Sequence, residues 1–393
     1  MKWGKEQRLA SGHAWAYRNE IDFKEKDPGP GALVRLKTQK GRPLGVGFLN
    51  SGSALSFRLL APHGEFPLDA DAETILKARL AQAVEARGPR VPGEARRLVF
   101  SEGDWLPGLV VDDYNGVLVV QINTIGMEKR RALILDWLKG LPGAKAVVER
   151  SDAAYRLKEG LSPAQGLLWT LALDEDFLHR VPFTEGTLQF TADVLEGHKT
   201  GFFLDQRPAR ALAQSLAKDK RCLDVFCHSG AFAVAMAVGG AAEVLGLDQS
   251  EPALKLAQGH ALLNQVQDKC RFEAADAFVR LREMEKAGEK FDLVVLDPPA
   301  MAKDGEKLGD ALRGYRELNL RALRLLKDGG LLLTCSCTGA VSDADFAGVV
   351  HAAALDAPAT LRELQRLGQG PDHPRVLGMD ETRYLKALLL RKG

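Results

Sequence analysis

Apolar and polar positions alternate over residues 31–37, and two more short apolar runs follow at 44–49 and 55–60, separated by Gly41, Asn50 and Gly52. Closely spaced short strands of this kind predict a small β-barrel over residues 1–65, with Ala61-Pro62-His63-Gly64 as the linker out of it. A helical period takes over at 69–87, where Ile75, Leu76, Leu80 and Val84 share one face and Gly88-Pro89 stops the helix. Strands follow at 97–100, 108–111 and 117–122, the last two joined through Tyr114-Asn115-Gly116 as a hairpin. With a helix at 127–139 and a strand at 144–149 they predict a small α+β domain over residues 66–186, in which 160–186 is ambiguous and reads as a connection. From 187 to 393 strands and helices alternate: strands at 223–226, 244–247, 270–274, 291–296, 331–334 and 384–390, helices at 231–238, 251–264, 315–326 and 343–354. That alternation predicts a doubly wound parallel sheet. The fold class is therefore α/β, a C-terminal Rossmann-like domain preceded by a small β-barrel and a small α+β domain.

In such a sheet the ligand sits outside the carboxyl ends of the strands, and Asp224, Asp248, Asp276 and Asp297 all fall there. The turn after the first strand, Cys227-His228-Ser229-Gly230, holds one glycine, and neither G-x-G-x-x-G nor G-x-x-x-x-G-K-[ST] is present. A pyrophosphate cradle is thereby disfavoured, and a nicotinamide oxidoreductase becomes the weakest rival. Asp224 would repel a phosphate but accept hydrogen bonds from an ammonium group. A ligand with an adenosine and an amino-acid end but no phosphate fits, and S-adenosylmethionine is such a ligand. Asp248 is assigned to the ribose hydroxyls, Asp276 to the adenine amino group and Asp224 to the methionine end. Phe226, Ser229, Gly230, Gln249 and Ala277 complete the candidate cofactor set at these strand ends. Each acid also has a structural reading as a helix N-cap, strongest for Asp276 and weakest for Asp248.

Composition changes this picture little. Lys and Arg (53) balance Asp and Glu (52), so no global charge announces nucleic acid. Eleven Lys/Arg against six Asp/Glu in the first 65 residues form a local excess that suits a phosphate-facing surface or an ordinary solvated face. Five cysteines with no C-x-x-C and no His at metal spacing argue against a zinc site and for reduced thiols. No signal peptide or membrane-spanning stretch is read, so a cytoplasmic protein with no membrane partner is expected.

Two strand ends carry further chemistry. Asp297-Pro298-Pro299 fixes an extended, rigid turn. Enzymes that methylate exocyclic amino groups usually place a base-stacking aromatic after this motif; Ala300-Met301 follows here and disfavours that reaction. One strand further on, Thr334-Cys335-Ser336-Cys337-Thr338-Gly339 offers a thiol. C5 of a pyrimidine is a poor nucleophile until a thiolate adds to C6 and makes C5 enamine-like. Cys337, with Asp297 one strand away, suits that chemistry, while a pair of buried core cysteines, a redox pair or a metal ligand are the alternatives. Cys227-His228 is read as a neighbouring pair without catalytic role, and Cys222 and Cys270 as core or near-surface residues.

Taken together the motifs resemble the RlmI-type family of bacterial 23S ribosomal RNA cytosine-5 methyltransferases over nearly the full length. They are Gly12-His13-Ala14-Trp15, Glu102-Gly103-Asp104-Trp105-Leu106-Pro107-Gly108-Leu109, Arg150-Ser151-Asp152, Gly197-His198-Lys199-Thr200-Gly201-Phe202-Phe203-Leu204-Asp205-Gln206-Arg207, the Asp-Pro-Pro turn, Arg313-Gly314-Tyr315, Ser336-Cys337-Thr338-Gly339 and Asp372-His373-Pro374. The resemblance implies a PUA domain for RNA over residues 1–65 and a class I methyltransferase over 187–393. It further implies that the segment 199–207 borders the cofactor, with contacts from Gln206 and Arg207, and it implies Cys337 as nucleophile and Cys335 as structural. The expected product is 5-methylcytidine in 23S ribosomal RNA, made with S-adenosylmethionine, with a homodimer left open. The rivals are a guanine methyltransferase of ribosomal RNA and a ribosome-assembly factor that binds RNA and cofactor without turnover.

Overall fold

A computed structural model describes residues 1–23, 27–302 and 307–393. The chain forms two compact units, one of residues 1–184, 191–204 and 371–382, the other of 185–190, 205–370 and 383–393.

In the first unit a short helix, α1 (Gln7–Ala10), precedes strands β1 (Trp15–Ala16), β2 (Ala32–Lys37), β3 (Pro43–Leu49) and β4 (Phe57–Pro62), paired antiparallel in the order β1-β4-β3-β2. Close approach sets their composition: a Cβ on Gly47 would sit 2.1 Å from the Arg58 carbonyl oxygen. The linker expected at 61–64 is partly strand, because Ala61 and Pro62 pair with Val46 and Gly45 and Ala61 is fully buried. Trp15 donates its indole N–H to Glu102 (2.8 Å), and Arg58 reaches Glu102 and Glu159, so the Gly-His-Ala-Trp and Glu-Gly-Asp-Trp motifs serve one packed core.

Helix α2 (Ala72–Ala86), capped by Asp71 through the Thr74 N–H, packs Ile75, Leu76 and Leu80 against the second sheet. That sheet orders β5 (Ala95–Phe100), β6 (Leu109–Tyr114), β7 (Val117–Ile122), β8 (Ala146–Ser151) and β9 (Ala164–Thr170) consecutively. The expected hairpin forms with Asn115 at φ 51 and Gly116 at φ 97, as a primed turn requires. The helix expected at 127–139 is two, α3 (Ile125–Glu128) and α4 (Arg131–Lys139); between them the Arg130 guanidinium caps the Gly126 carbonyl. The stretch 160–186 is no mere connection. It supplies β9, an edge strand only partly buried on either face, and its weak alternation is why the pattern hid it. Helices α5 (Ala154–Lys158) and α6 (Glu175–Leu178) flank it, and β10 (Val181–Glu185) and β11 (Leu188–Ala192) form a two-stranded ribbon.

The second unit is a seven-stranded sheet of order β14-β13-β12-β15-β16-β18-β17. Its strands are β12 (Arg221–Val225), β13 (Glu243–Asp248), β14 (Cys270–Ala274), β15 (Phe291–Leu296), β16 (Leu326–Ser336), β17 (Leu361–Leu367) and β18 (Lys386–Lys392). The helices are α7 (Arg207–Leu216), α8 (Ala231–Val238), α9 (Glu251–Leu263), α10 (Ala277–Lys286), α11 (Leu308–Leu325) and α12 (Asp343–Asp356). Five strands pair parallel, as the alternation predicts; β18 alone is reversed, pairing antiparallel with β16 on one side and β17 on the other, so the sheet is mixed at one edge. Strand β17, LRELQRL, escaped the pattern because its side chains are largely exposed. The apolar core of this unit joins Leu223, Val225, Leu247, Leu296 and Leu332 of the sheet to Tyr315, Leu318 and Phe346 of the helices. Among the described residues no helix is long and apolar enough to cross a membrane.

Candidate active site

The reversal of the sheet order lies between β12 and β15, and the β12–α8 turn is built there. Phe226, His228 and Gly230 all take left-handed backbone, with φ 66, 47 and 71. For the two non-glycines this conformation costs about 1–2 kcal/mol each. Two hydrogen bonds hold it: Cys227 N–H to the Leu247 carbonyl and His228 N–H to Asp248 Oδ2, both 2.9 Å. Gly230 cannot be exchanged, since a Cβ there would lie 2.7 Å from Ala257 Cβ and 3.0 Å from the Phe272 ring.

Asp248, the residue assigned to ribose, has structural partners at both oxygens, His228 N–H at Oδ2 and Ser250 N–H at Oδ1. Each oxygen keeps a second lone pair for a hydroxyl. Asp276 caps α10 through Val279 N–H (3.0 Å), as its structural reading expects, and its other oxygen accepts from the Gln249 amide (2.8 Å), which brings Gln249, Asp276 and the buried Ala277 to one rim. Asp224 is completely buried; Oδ2 accepts from Ala233 N–H (2.9 Å) and Oδ1 has no partner among the described residues. Burial, and then the neighbouring Asp297 and Asp248 charges, hold its carboxyl well above the usual range. Ser229 is buried, and its carbonyl accepts from His260 Nδ1 at 2.8 Å.

Gln206 and Arg207 open α7. The neighbouring Asp205, within the segment 199–207 that the resemblance implies borders the cofactor, accepts the Tyr384 hydroxyl at Oδ2 (2.6 Å). Its Oδ1 and the Oε1 of buried Gln206 lack partners among the described residues. Arg207 approaches Glu185 at 3.7 Å, and fully buried Arg210 donates Nε to the same carboxylate (2.8 Å). Asp297 follows β15 at the next parallel strand end. Burial and the Asp205 charge push its carboxyl up to about 7, against a Gln206 hydrogen bond and the Arg210 cation.

Cys337 lies one residue beyond β16, half-buried, with its thiol 3.8 Å from the Pro298 carbonyl. Cys335 is different: it is inside the strand, fully buried, and burial holds its thiol far above the ordinary range. Cys227 is likewise buried and protonated, and Cys222 and Cys270 are pushed up to about 12. The flanks of Cys337 reveal residues that the pattern missed: Tyr315, Thr338 and Lys386. Tyr315 stands in a motif that carries only the family resemblance, and Lys386 is a cation opening an apolar strand, the one signal that could have singled it out.

Unpartnered oxygens of Asp205 and Gln206 before α7 and of Asp224 on β12 are acceptors awaiting donors, and the hydroxyls and ammonium of S-adenosylmethionine are such donors. The sheet order, the single-glycine turn and the acids at its strand ends define a Rossmann-like methyltransferase. A family model described as S-adenosylmethionine-dependent methyltransferase matches residues 96–391, and one described as PUA-like domain matches residues 1–62. Proteins named ribosomal RNA large subunit methyltransferase I are similar to it end to end: that of Tolumonas auensis is 38% identical across 98% of this chain and 97% of its own, and that of Shewanella denitrificans 37% identical across 100% and 98%. The chain belongs to this family of S-adenosylmethionine-dependent methyltransferases. A solved candidate methyltransferase from Streptococcus mutans shares the fold at 18% identity, with a TM-score of 0.82 over the whole of both chains.

Proposed function

We propose that this enzyme forms 5-methylcytidine in 23S ribosomal RNA through a covalent bond between Cys337 and C6 of the base. The observation that carries the reading is the placement of Cys337 and Asp297 just beyond two adjacent parallel strands, with the thiol against the Asp-Pro-Pro turn. The relatives' names support ribosomal RNA as substrate, and the basic, PUA-like first 62 residues suit docking on it.

Asp248 would hold the ribose of the cofactor, Asp276 and Gln249 its base, and Asp224 with Gln206 its amino-acid end. When bound, S-adenosylmethionine supplies the electrophilic methyl group. The Cys337 thiolate adds to C6, and the electron pair displaced from the C5–C6 double bond makes C5 nucleophilic. Asp297, neutral below about pH 7, donates a hydrogen bond to N3 while negative charge builds on the ring. Once C5 is methylated, its proton passes to a base, the double bond re-forms and the C6–S bond breaks to return the thiolate.

The test is methyl transfer from labelled cofactor to unmodified 23S ribosomal RNA, with the product nucleoside identified. 5-Methylcytidine from the wild type and none from Cys337→Ala is the expected result. A methylguanine, or 5-methylcytidine persisting in Cys337→Ala, would sink the mechanism.

A further inference from the structure

The residues on either side of Cys337 are tied down by a network that the proposed chemistry does not use. Ser336 donates its hydroxyl to the Tyr315 phenol oxygen (2.9 Å), and that phenol pairs with Thr338 Oγ1 (2.8 Å). Thr338 Oγ1 in turn accepts the backbone N–H of Met301 (3.1 Å), at the end of the Asp-Pro-Pro-Ala-Met segment. From β18, buried Lys386 donates to the carbonyls of Thr338 (2.8 Å) and Val341 (2.7 Å). Ser336, Thr338 and Tyr315 are all fully buried. Gly314 leaves room for the Met301 side chain on α11, since a Cβ there would lie 2.8 Å from the Met301 sulfur.

The geometry assigns to Tyr315 and Thr338 the role of positioning residues that fix the register between the Cys337 loop and the Asp297-Pro298-Pro299 turn, the two loops that must close on one base. The assignment rests on Cys337 being the nucleophile. Neither residue is catalytic: both face inward, and burial pushes the Tyr315 phenol up to about 12, so it stays a neutral donor. What they control is where the thiol stands relative to a base held at the turn. Misplacing a nucleophile by a fraction of its reach costs rate without loosening the ligand.

Tyr315→Phe removes one hydroxyl, Thr338→Val removes the acceptor of the Met301 N–H, and Thr338→Ser restores it. Steady-state methylation of 23S ribosomal RNA is compared across these and Cys337→Ala, alongside thermal midpoints and the rate of iodoacetamide alkylation of the peptide bearing Cys337. Expected for Tyr315→Phe and Thr338→Val is a kcat lower by about ten- to a hundredfold with KM for RNA and cofactor nearly unchanged. Thr338→Ser should recover most of the loss, and the alkylation rate should change with kcat. Wild-type kcat in Tyr315→Phe and Thr338→Val beside an inactive Cys337→Ala overturns the clamp and spares the nucleophile. The clamp is also overturned if Thr338→Ser is as impaired as Thr338→Val and both losses track the thermal midpoint. A fully active Cys337→Ala overturns the nucleophile, and the clamp with it.

Discussion

Asp297 is where residue chemistry becomes measurable. Its native state keeps a proton that the unfolded chain loses above roughly pH 4, since the folded carboxyl titrates only near about 7. The folded state therefore binds more protons across that window, and stability falls as pH rises through it, then levels off. Asp297→Asn removes the titration. Its urea-melt stability at pH 8 should exceed the wild type's by about 1–3 kcal/mol, the order of a desolvated polar group's cost. The slope will not vanish, because Asp224 is shifted in the same direction. Activity should go the other way: about 10²–10⁴-fold lower in Asp297→Asn, with a wild-type rate that declines as pH climbs through about 7. A wild-type profile flat from pH 6 to 8 would exclude the neutral acid as the working form.

At the scale of elements, the β12–α8 turn carries the strongest constraint. Gly230→Ala puts a Cβ on a left-handed residue and into Ala257 and Phe272, so a loss of about 1–3 kcal/mol is expected, read as a lowered thermal midpoint, together with weaker binding of S-adenosylmethionine by calorimetry. A midpoint unchanged within error would mean the turn relaxes freely. Ser342→Ala is the control: it deletes the N-cap of α12, a Ser342–Asp345 box that includes none of the candidate cofactor residues, and should cost about 1 kcal/mol with cofactor affinity intact. This turn also shows what was legible in the sequence. A strand broken by Ser229-Gly230 before a small apolar helix announces the βαβ unit, and Asp248 could be placed because a buried strand stops there. The left-handed Phe226 and His228 could not, since that conformation is imposed by hydrogen bonds donated to Leu247 and Asp248 on the next strand. Strands β9 and β17 were hidden for a related reason: at a sheet edge, half-exposed side chains need not alternate. Tyr315, Thr338 and Lys386 meet only in three dimensions, so spacing along the chain carries no trace of their network.

For the molecule as a whole, charge and chain path matter more than any one bond. The first 62 residues expose Lys37, Lys40 and Arg42 around one strand end, and Lys40 lies over the exposed Trp3 ring at 5.0 Å. If these cations meet RNA phosphates, replacing all three by Ala should weaken RNA binding and flatten the plot of log affinity against log salt, by about 0.7–0.9 per lost contact. An unchanged slope would move the RNA-binding face elsewhere.

Chain path makes a separate prediction, because residues 371–382 belong to the first unit although they lie near the end of the sequence. There Asp372 accepts the Arg97 backbone N–H (3.0 Å) and the Arg87 guanidinium (3.1 Å at its carbonyl), and the His373 ring packs on Phe100 at 5.2 Å. Met379 is buried in the core formed by Leu9, Phe57 and Leu59, and Glu381 meets His13 at 3.1 Å. A fragment of residues 1–204 would leave that core open and a strand N–H without its carboxylate. The methionine cavity alone is worth about 2–5 kcal/mol. Fusing residues 371–382 to the fragment through a flexible linker should raise its urea midpoint by a corresponding amount. Equal midpoints with and without the segment would mean that the Asp-His-Pro motif does not stabilise the first unit.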